Sequence, residues 1–241
     1  MTGKTVLITG ANRSIGYETA RQLGRSGYRV WLGSRDAARG TQAAEWLREE
    51  GHDVRSLPLD VTSEDSVRNA VLAIEKEHGV LDVLINNAGV LGAPPVKPSE
   101  QRIDDIRAVY ETNVFGSIRV TQAFLPLLKD SEDASVIMVS SGLGSLGWLS
   151  DPANPFHGIN VLGYNSSKTA LNAVTVSFAK EFAPLGIRVN AADPGYTATD
   201  FNGHTGYRTV EQAAAGIVWL ADTDKAGPTG SFFFEQEVVP W

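Results

Sequence analysis

Short apolar runs rich in β-branched residues alternate with helical stripes along the whole chain, and this alternation limits the fold more than any other feature. Residues 5–9 form a continuous run closed by Gly10, the pattern of a strand buried on both faces. Ile15, Thr19, Ala20 and Leu23 follow at helical spacing until Gly24 and Gly27 end the segment. Further strands are expected over 28–33, 54–60, 81–86, 135–140, 187–192 and 231–234. Between them fall helices near 43–50, along the stripe Val67, Ala70, Val71 and Ile74, in one long stretch from about 103 to 127, and over 164–182 and 210–221.

Strands that alternate with helices and are buried on both faces imply a parallel sheet, because each right-handed crossover lays its helix against the sheet. The expected fold is a doubly wound, Rossmann-like α/β domain spanning 1–241, with helices on both faces. A chain of 241 residues with 42% hydrophobic content buries a full core without staples. The absence of cysteine excludes disulfides, thiolate metal clusters and a cysteine nucleophile together. A net charge of −7 offers nothing to a phosphate backbone, so no nucleic-acid partner is expected. No stretch approaches the roughly 18 apolar residues of a membrane span, and the N-terminus lacks the marks of a cleaved signal. A cytoplasmic protein without membrane contact is expected.

In such sheets ligands sit beyond the carboxyl ends of the strands. Residues 9–16, TGANRSIG, lie there between the first strand and the first helix. Glycines in that turn let the backbone approach a pyrophosphate held at the positive end of the helix. The Gly-Lys-Ser/Thr ending of a nucleoside-triphosphate loop is missing, so a dinucleotide is the expected ligand. An acid at the end of the second strand would read the ribose of NAD, but the strand ends in Gly33, Ser34 and Arg35. Ser34 and Arg35, with Arg13 from the glycine turn, favour a 2′-phosphate and hence NADP(H). Asp36 stands against this, because it could pair with Arg35.

Tyr164 and Lys168, four apart on a helix, share one face. A free phenol with a pKa of about 10 shuttles protons poorly at neutral pH, and a nearby ammonium would bring it toward the working range. Ser141, closing the preceding strand, would bind a carbonyl oxygen beside the tyrosine. Histidines 52, 78, 157 and 204 are isolated, so no metal is expected.

With these residues in view, the sequence resembles the short-chain dehydrogenase/reductase family over nearly its whole length. TGANRSIG is similar to that family's cofactor turn, and Asn86, Asn87, Ala88 and Gly89 match its NNAG motif. Asn113 stands in its catalytic-asparagine segment, Ser141, Tyr164 and Lys168 match its reactive set, and Pro194, Gly195 and Thr199 complete PGxxxT. The resemblance implies that Tyr164 is the general acid in reduction, Ser141 orients the carbonyl, Lys168 tunes the tyrosine and binds the nicotinamide ribose, and Asn113 holds a relay water. It further implies that Gly10, Asn12, Ser14, Ile15 and Gly16 line the pyrophosphate, and Asp60 and Val61 the adenine. Asn87, Ala88 and Gly89 would serve the adenosine-side ribose, and Pro194, Gly195, Thr197 and Thr199 the nicotinamide end.

Two departures qualify this likeness. Ser14 replaces the second glycine of the turn, and the 23 residues from Ser141 to Tyr164 exceed the family's usual spacing. The excess, over 149–160, is expected to loop out beside the site. Similar insertions, and an ending like GSFFFEQEVVPW, mark the family's carbonyl-reductase branch. The branch implies reduction of a ketone or aldehyde, and a monomer or homodimer rather than a tetramer. Leu143, Trp148, Tyr196 and Phe201 suggest an apolar or aromatic small-molecule substrate. The alternatives are an NADPH-sensing regulator without turnover, an NAD-dependent alcohol dehydrogenase of the same fold, and an epimerase or dehydratase with a larger substrate lobe, for which the chain is too short.

Overall fold

Alternate residues of the central strands feed two apolar layers, one on each side of a single sheet. In β1 (Thr5–Ile8), Leu7 enters one layer while Val6 and Ile8 enter the other. The computed structural model describes residues 3–94 and 96–241; Met1, Thr2 and Pro95, the last inside the Gly- and Pro-containing loop 89–98, lie outside the described residues. The remaining strands are β2 (Arg29–Ser34), β3 (Val54–Pro58), β4 (Val83–Asn86), β5 (Ser135–Val139), β6 (Arg188–Asp193), β7 (Phe232–Phe234) and β8 (Glu237–Val238). Their order across the sheet is β3-β2-β1-β4-β5-β6-β7-β8.

The first layer receives Val67 and Ile74 from α3 (Glu64–His78), Phe124 and Leu128 from α5 (Ser117–Lys129), and Leu171 and Phe182 from α7 (Leu162–Phe182). On the other side, α1 (Ser14–Arg25) contributes Leu23, α2 (Ala37–Glu49) Leu47, and α8 (Val210–Asp222) Ile217 and Leu220. The chain winds outward in both directions from β1 and β4, so a crevice opens between their carboxyl ends. This is the doubly wound arrangement the alternating pattern predicts.

Four local features differ from expectation. The sheet is parallel except at its end, where β8 folds back antiparallel on β7 through a turn with Glu235 at φ 55°. The stretch 103–127 is not one regular helix: α4 (Ile103–Tyr110) and α5 flank a π-helical turn at Glu111–Gly116. There the Asn113 side chain accepts from the Val90 amide at 2.8 Å and donates to the Val90 carbonyl and the Ser167 hydroxyl, both at 3.0 Å. Apolar periodicity carries no trace of such a widened turn. Helix α2 starts at Ala37 rather than near 43, because the Asp36 carboxylate accepts from the Arg39 amide and caps it. Finally, the long connection after Ser141 is partly helical, with α6 at Leu146–Ser150.

Candidate active site

A cavity of about 760 Å³ opens at the crevice, lined from the carboxyl-end loops of β1, β2, β3, β4, β5 and β6. Its floor is the glycine turn. Gly10 sits at φ +63°, and an added Cβ would come within 2.9 Å of the Ala88 Cα; at Gly16 it would meet the Asn87 amide nitrogen at 2.5 Å. Only glycine allows β4 to approach this closely. The approach is stitched by Asn87, which donates to the carbonyls of Thr9 and Gly10, and by the Ala88 amide, which donates to the Thr9 hydroxyl. Arg13 stands at the N-cap of α1 without a side-chain capping bond, and the first turn holds no acid. The positive helix end therefore faces a cavity wall formed by Gly10, Asn12, Arg13, Ser14, Ile15 and Gly16, a cradle that suits a pyrophosphate. Ser14 holds the left-handed φ of 57° that its replacement of glycine requires.

At the end of the cavity beside β2, Arg35 is exposed, lines the wall, and makes no ion pair among the described residues. Asp36 does not take it; that carboxylate is engaged by the Arg39 amide at 3.0 Å and the Arg39 guanidinium at 3.3 Å. Arg39, which sequence reasoning missed, is a third arginine on this wall. Ser34, by contrast, is buried and donates its hydroxyl to the Asp36 carbonyl at 2.7 Å, so it is spent on the turn and is absent from the cavity lining. Arg13 pairs with Asp200 across the cavity mouth at 3.1 Å, both side chains more than half exposed, a weak and salt-screened contact. Asp60 and Val61 both line the wall, with one Asp60 oxygen accepting from the amide and hydroxyl of Thr62.

Helix α7 presents Tyr164 and Lys168 one turn apart, both buried. The Lys168 Nζ donates to the Val139 carbonyl at 2.8 Å and lies 5.7 Å from the centre of the Tyr164 ring. The Ser141 hydroxyl accepts from the Leu143 amide at 3.2 Å and hydrogen-bonds the phenol. Asn113 lies behind this group rather than on the cavity wall, bracing the loop after β4 against α7 through Val90 and Ser167.

Burial dominates the electrostatics. It pushes the Tyr164 phenol above its ordinary 10, a shift that Ser141 opposes and the Asp193 carboxyl reinforces. It also pulls Lys168 from 10.5 down to about 8, against the raising influence of Asp193. The phenol is thus not drawn toward neutrality as its lysine neighbour suggested; desolvation is the largest influence on it. Tyr164 therefore keeps its proton at neutral pH, the state a proton donor needs.

The far wall is apolar. Leu143, Tyr196 and Phe201 lie on it, and the Phe201 ring is 5.6 Å from that of Tyr164. Trp148 does not join them; it packs on Phe156 at 5.5 Å and against the cluster of Ala191, Phe232 and Val239. The long connection contributes Pro155, Phe156 and Ile159 to the wall, for which the only signal in the sequence was its extra length. Pro194, Gly195, Thr197 and Thr199 complete the lining after β6, with the Thr197 hydroxyl donating to the Pro194 carbonyl at 3.1 Å.

A family model described as short chain dehydrogenase matches residues 4–208. The chain belongs to the short-chain dehydrogenase family. Among curated relatives of this short-chain dehydrogenase, the (+)-neomenthol dehydrogenase of Arabidopsis thaliana is 33% identical, with 98% of each chain covered. Solved structures agree. The NADPH-bound carbonyl reductase from chicken fatty liver superposes with a TM-score of 0.87 at 26% identity, covering 100% of both chains. The menthone neomenthol reductase from Mentha piperita gives 0.80 at 30% identity, covering 98% of this chain and 100% of the other. As a short-chain dehydrogenase the chain is an oxidoreductase built to bind a nicotinamide cofactor. Among its described residues no helix is long and apolar enough to cross a membrane.

Proposed function

We propose that this short-chain dehydrogenase reduces a ketone or aldehyde carbonyl to an alcohol with NADPH. One observation carries the reading: a protonated, buried Tyr164, joined to Ser141 and backed by Lys168, opens on a cavity with an apolar far wall. A nicotinamide cofactor held in this cavity would supply the hydride for the carbonyl carbon. Tyr164 delivers its phenolic proton to the carbonyl oxygen, and the Ser141 hydroxyl holds that oxygen in line. Lys168, fixed by the Val139 carbonyl, steadies the phenolate left behind and holds the nicotinamide ribose. Asn113 braces the wall and serves a relay water. The pyrophosphate falls to Gly10, Asn12, Ser14, Ile15 and Gly16, the adenine to Asp60 and Val61, the ribose wall to Asn87, Ala88 and Gly89, and the nicotinamide end to Pro194, Gly195, Thr197 and Thr199.

The preference for NADPH is supported by the free Arg35 and the neighbouring Arg13 and Arg39, and by the lack of an acid at the end of β2. The solved carbonyl reductase that superposes over the full chain holds NADPH, in keeping with this. Phe156, Ile159 and Phe201 favour an uncharged, apolar carbonyl compound. The test is a panel of ketones, aldehydes and quinones followed by loss of NADPH absorbance, with NADH in parallel. Tyr164→Phe should abolish turnover and leave NADPH binding within a few-fold. Most of the activity surviving that change would remove the proposed acid.

A further inference from the structure

Asp193 ends β6 and lends a carboxyl to the same cavity, although the roles above use no acid there. It is only 6% exposed. One oxygen accepts from the Gly195 amide at 2.8 Å. The other lies against Gly142, whose amide also bonds the carboxyl and where an added Cβ would come within 2.9 Å of it. The side chain thus ties the turn that carries Ser141 to the turn that carries Pro194 and Gly195. The charged and titratable groups facing it are Lys168 and Tyr164 from α7, and Arg208 from the segment ahead of α8. Arg208 is itself paired with Glu235 at 2.8 Å and is mostly buried.

We infer that Asp193 is a positioning residue of the active site, which locks the Ser141 turn against the Pro194–Gly195 turn and holds Lys168 in its ammonium form. The inference rests on the reading of Tyr164 and Lys168 as the proton-handling pair. A carboxylate in a buried pocket acts strongly on a nearby ammonium, since little water intervenes. Burial pulls Lys168 down, and Asp193 is the group that opposes this. Burial pushes Asp193 itself above the usual carboxylate range, and the Gly195 and Gly142 amides and the charges of Arg208 and Lys168 only partly offset this.

The sign of the effect follows. Without the acid, Lys168 loses its proton at lower pH, and the phenol, relieved of a negative neighbour, also ionises earlier. Both changes move the high-pH limb of the reaction the same way. In Asp193→Asn, the high-pH limb of kcat/KM for NADPH-dependent carbonyl reduction should fall by about half a pH unit or more. NADPH affinity at pH 6.5 should stay within about threefold. Asp193→Glu, which keeps the charge and displaces the turns, should lower kcat while leaving the limb in place. A limb unmoved in Asp193→Asn, whether the rate drops uniformly or not at all, would overturn the charge role. Fluorescence titration of NADPH binding over the same pH range reads Lys168 without turnover. The absence of any carbonyl activity would therefore sink the proposed function, while an unshifted binding profile in the Asn variant would sink this inference.

Discussion

Replacing Lys168 by methionine should give a protein that is inactive yet more stable at neutral pH. Lys168 ionises at about 8 in the native chain, against 10.5 ordinarily, chiefly because it is buried. At about 1.4 kcal/mol per pH unit, carrying the charged lysine costs the native state about 3 kcal/mol below pH 8. Between pH 8 and 10.5 the unfolded chain holds the proton and the native chain does not. Unfolding then takes up a proton, so this group makes stability rise with pH through that window. Methionine keeps the stem and removes the penalty, but it deprives the Val139 carbonyl of its donor, a loss of about 1 to 3 kcal/mol. The variant should therefore be about 1 kcal/mol more stable than the parent at pH 7 and about 2 kcal/mol less stable near pH 10.5. Urea unfolding at pH 7, 8.5 and 10.5 reads the difference directly. A difference that stays constant across the three would refute the claim that a buried ammonium burdens this fold.

Ser14→Gly should relieve the left-handed φ of 57°, worth about 1 to 2 kcal/mol less the added freedom of the unfolded glycine. A small rise in melting temperature is expected, and a fall would show that the hydroxyl makes a compensating contact. Gly16→Ala drives a Cβ to 2.5 Å from the Asn87 side chain and 2.9 Å from the Ala11 Cα and the Gly10 carbonyl. It should cost about 1 to 3 kcal/mol in stability and at least tenfold in cofactor affinity, checked by denaturation and fluorescence titration. Arg35→Ala should weaken NADPH binding far more than NADH binding; equal losses would exclude Arg35 as the reader of the 2′-phosphate.

The regular elements were legible because burial leaves a periodic trace. Strands such as β1, β4 and β5 are buried throughout and mostly apolar, and α3 shows Val67, Ala70 and Ile74 on one face. The placement of Tyr164 and Lys168 on one face was legible because a helix fixes the geometry of residues four apart. What escaped detection depends on contacts distant in sequence. The π-helical turn exists because Asn113 reaches Val90 and Ser167, and the early start of α2 turns on one capping carboxylate. Ser34 looked like a phosphate ligand until its hydroxyl was seen bonded to its own turn. Asp193 and Phe156 carry no local pattern at all; only folding brings an acid at the end of β6 beside Lys168, or a ring from the long connection onto the cavity wall.

The pair Tyr164 and Lys168 and the side chains that shape the far wall belong to parts of the molecule with different freedom to change. Tyr164 and Lys168 stand on a 21-residue helix whose buried face also includes Leu171, Phe178 and Phe182. Phe156, Ile159, Tyr196 and Phe201 project from surface connections whose backbone the two apolar layers do not require. Mutations can therefore redraw which molecules are admitted while the inherited chemistry stays intact, which makes the molecule a ready starting point for laboratory evolution toward new compounds.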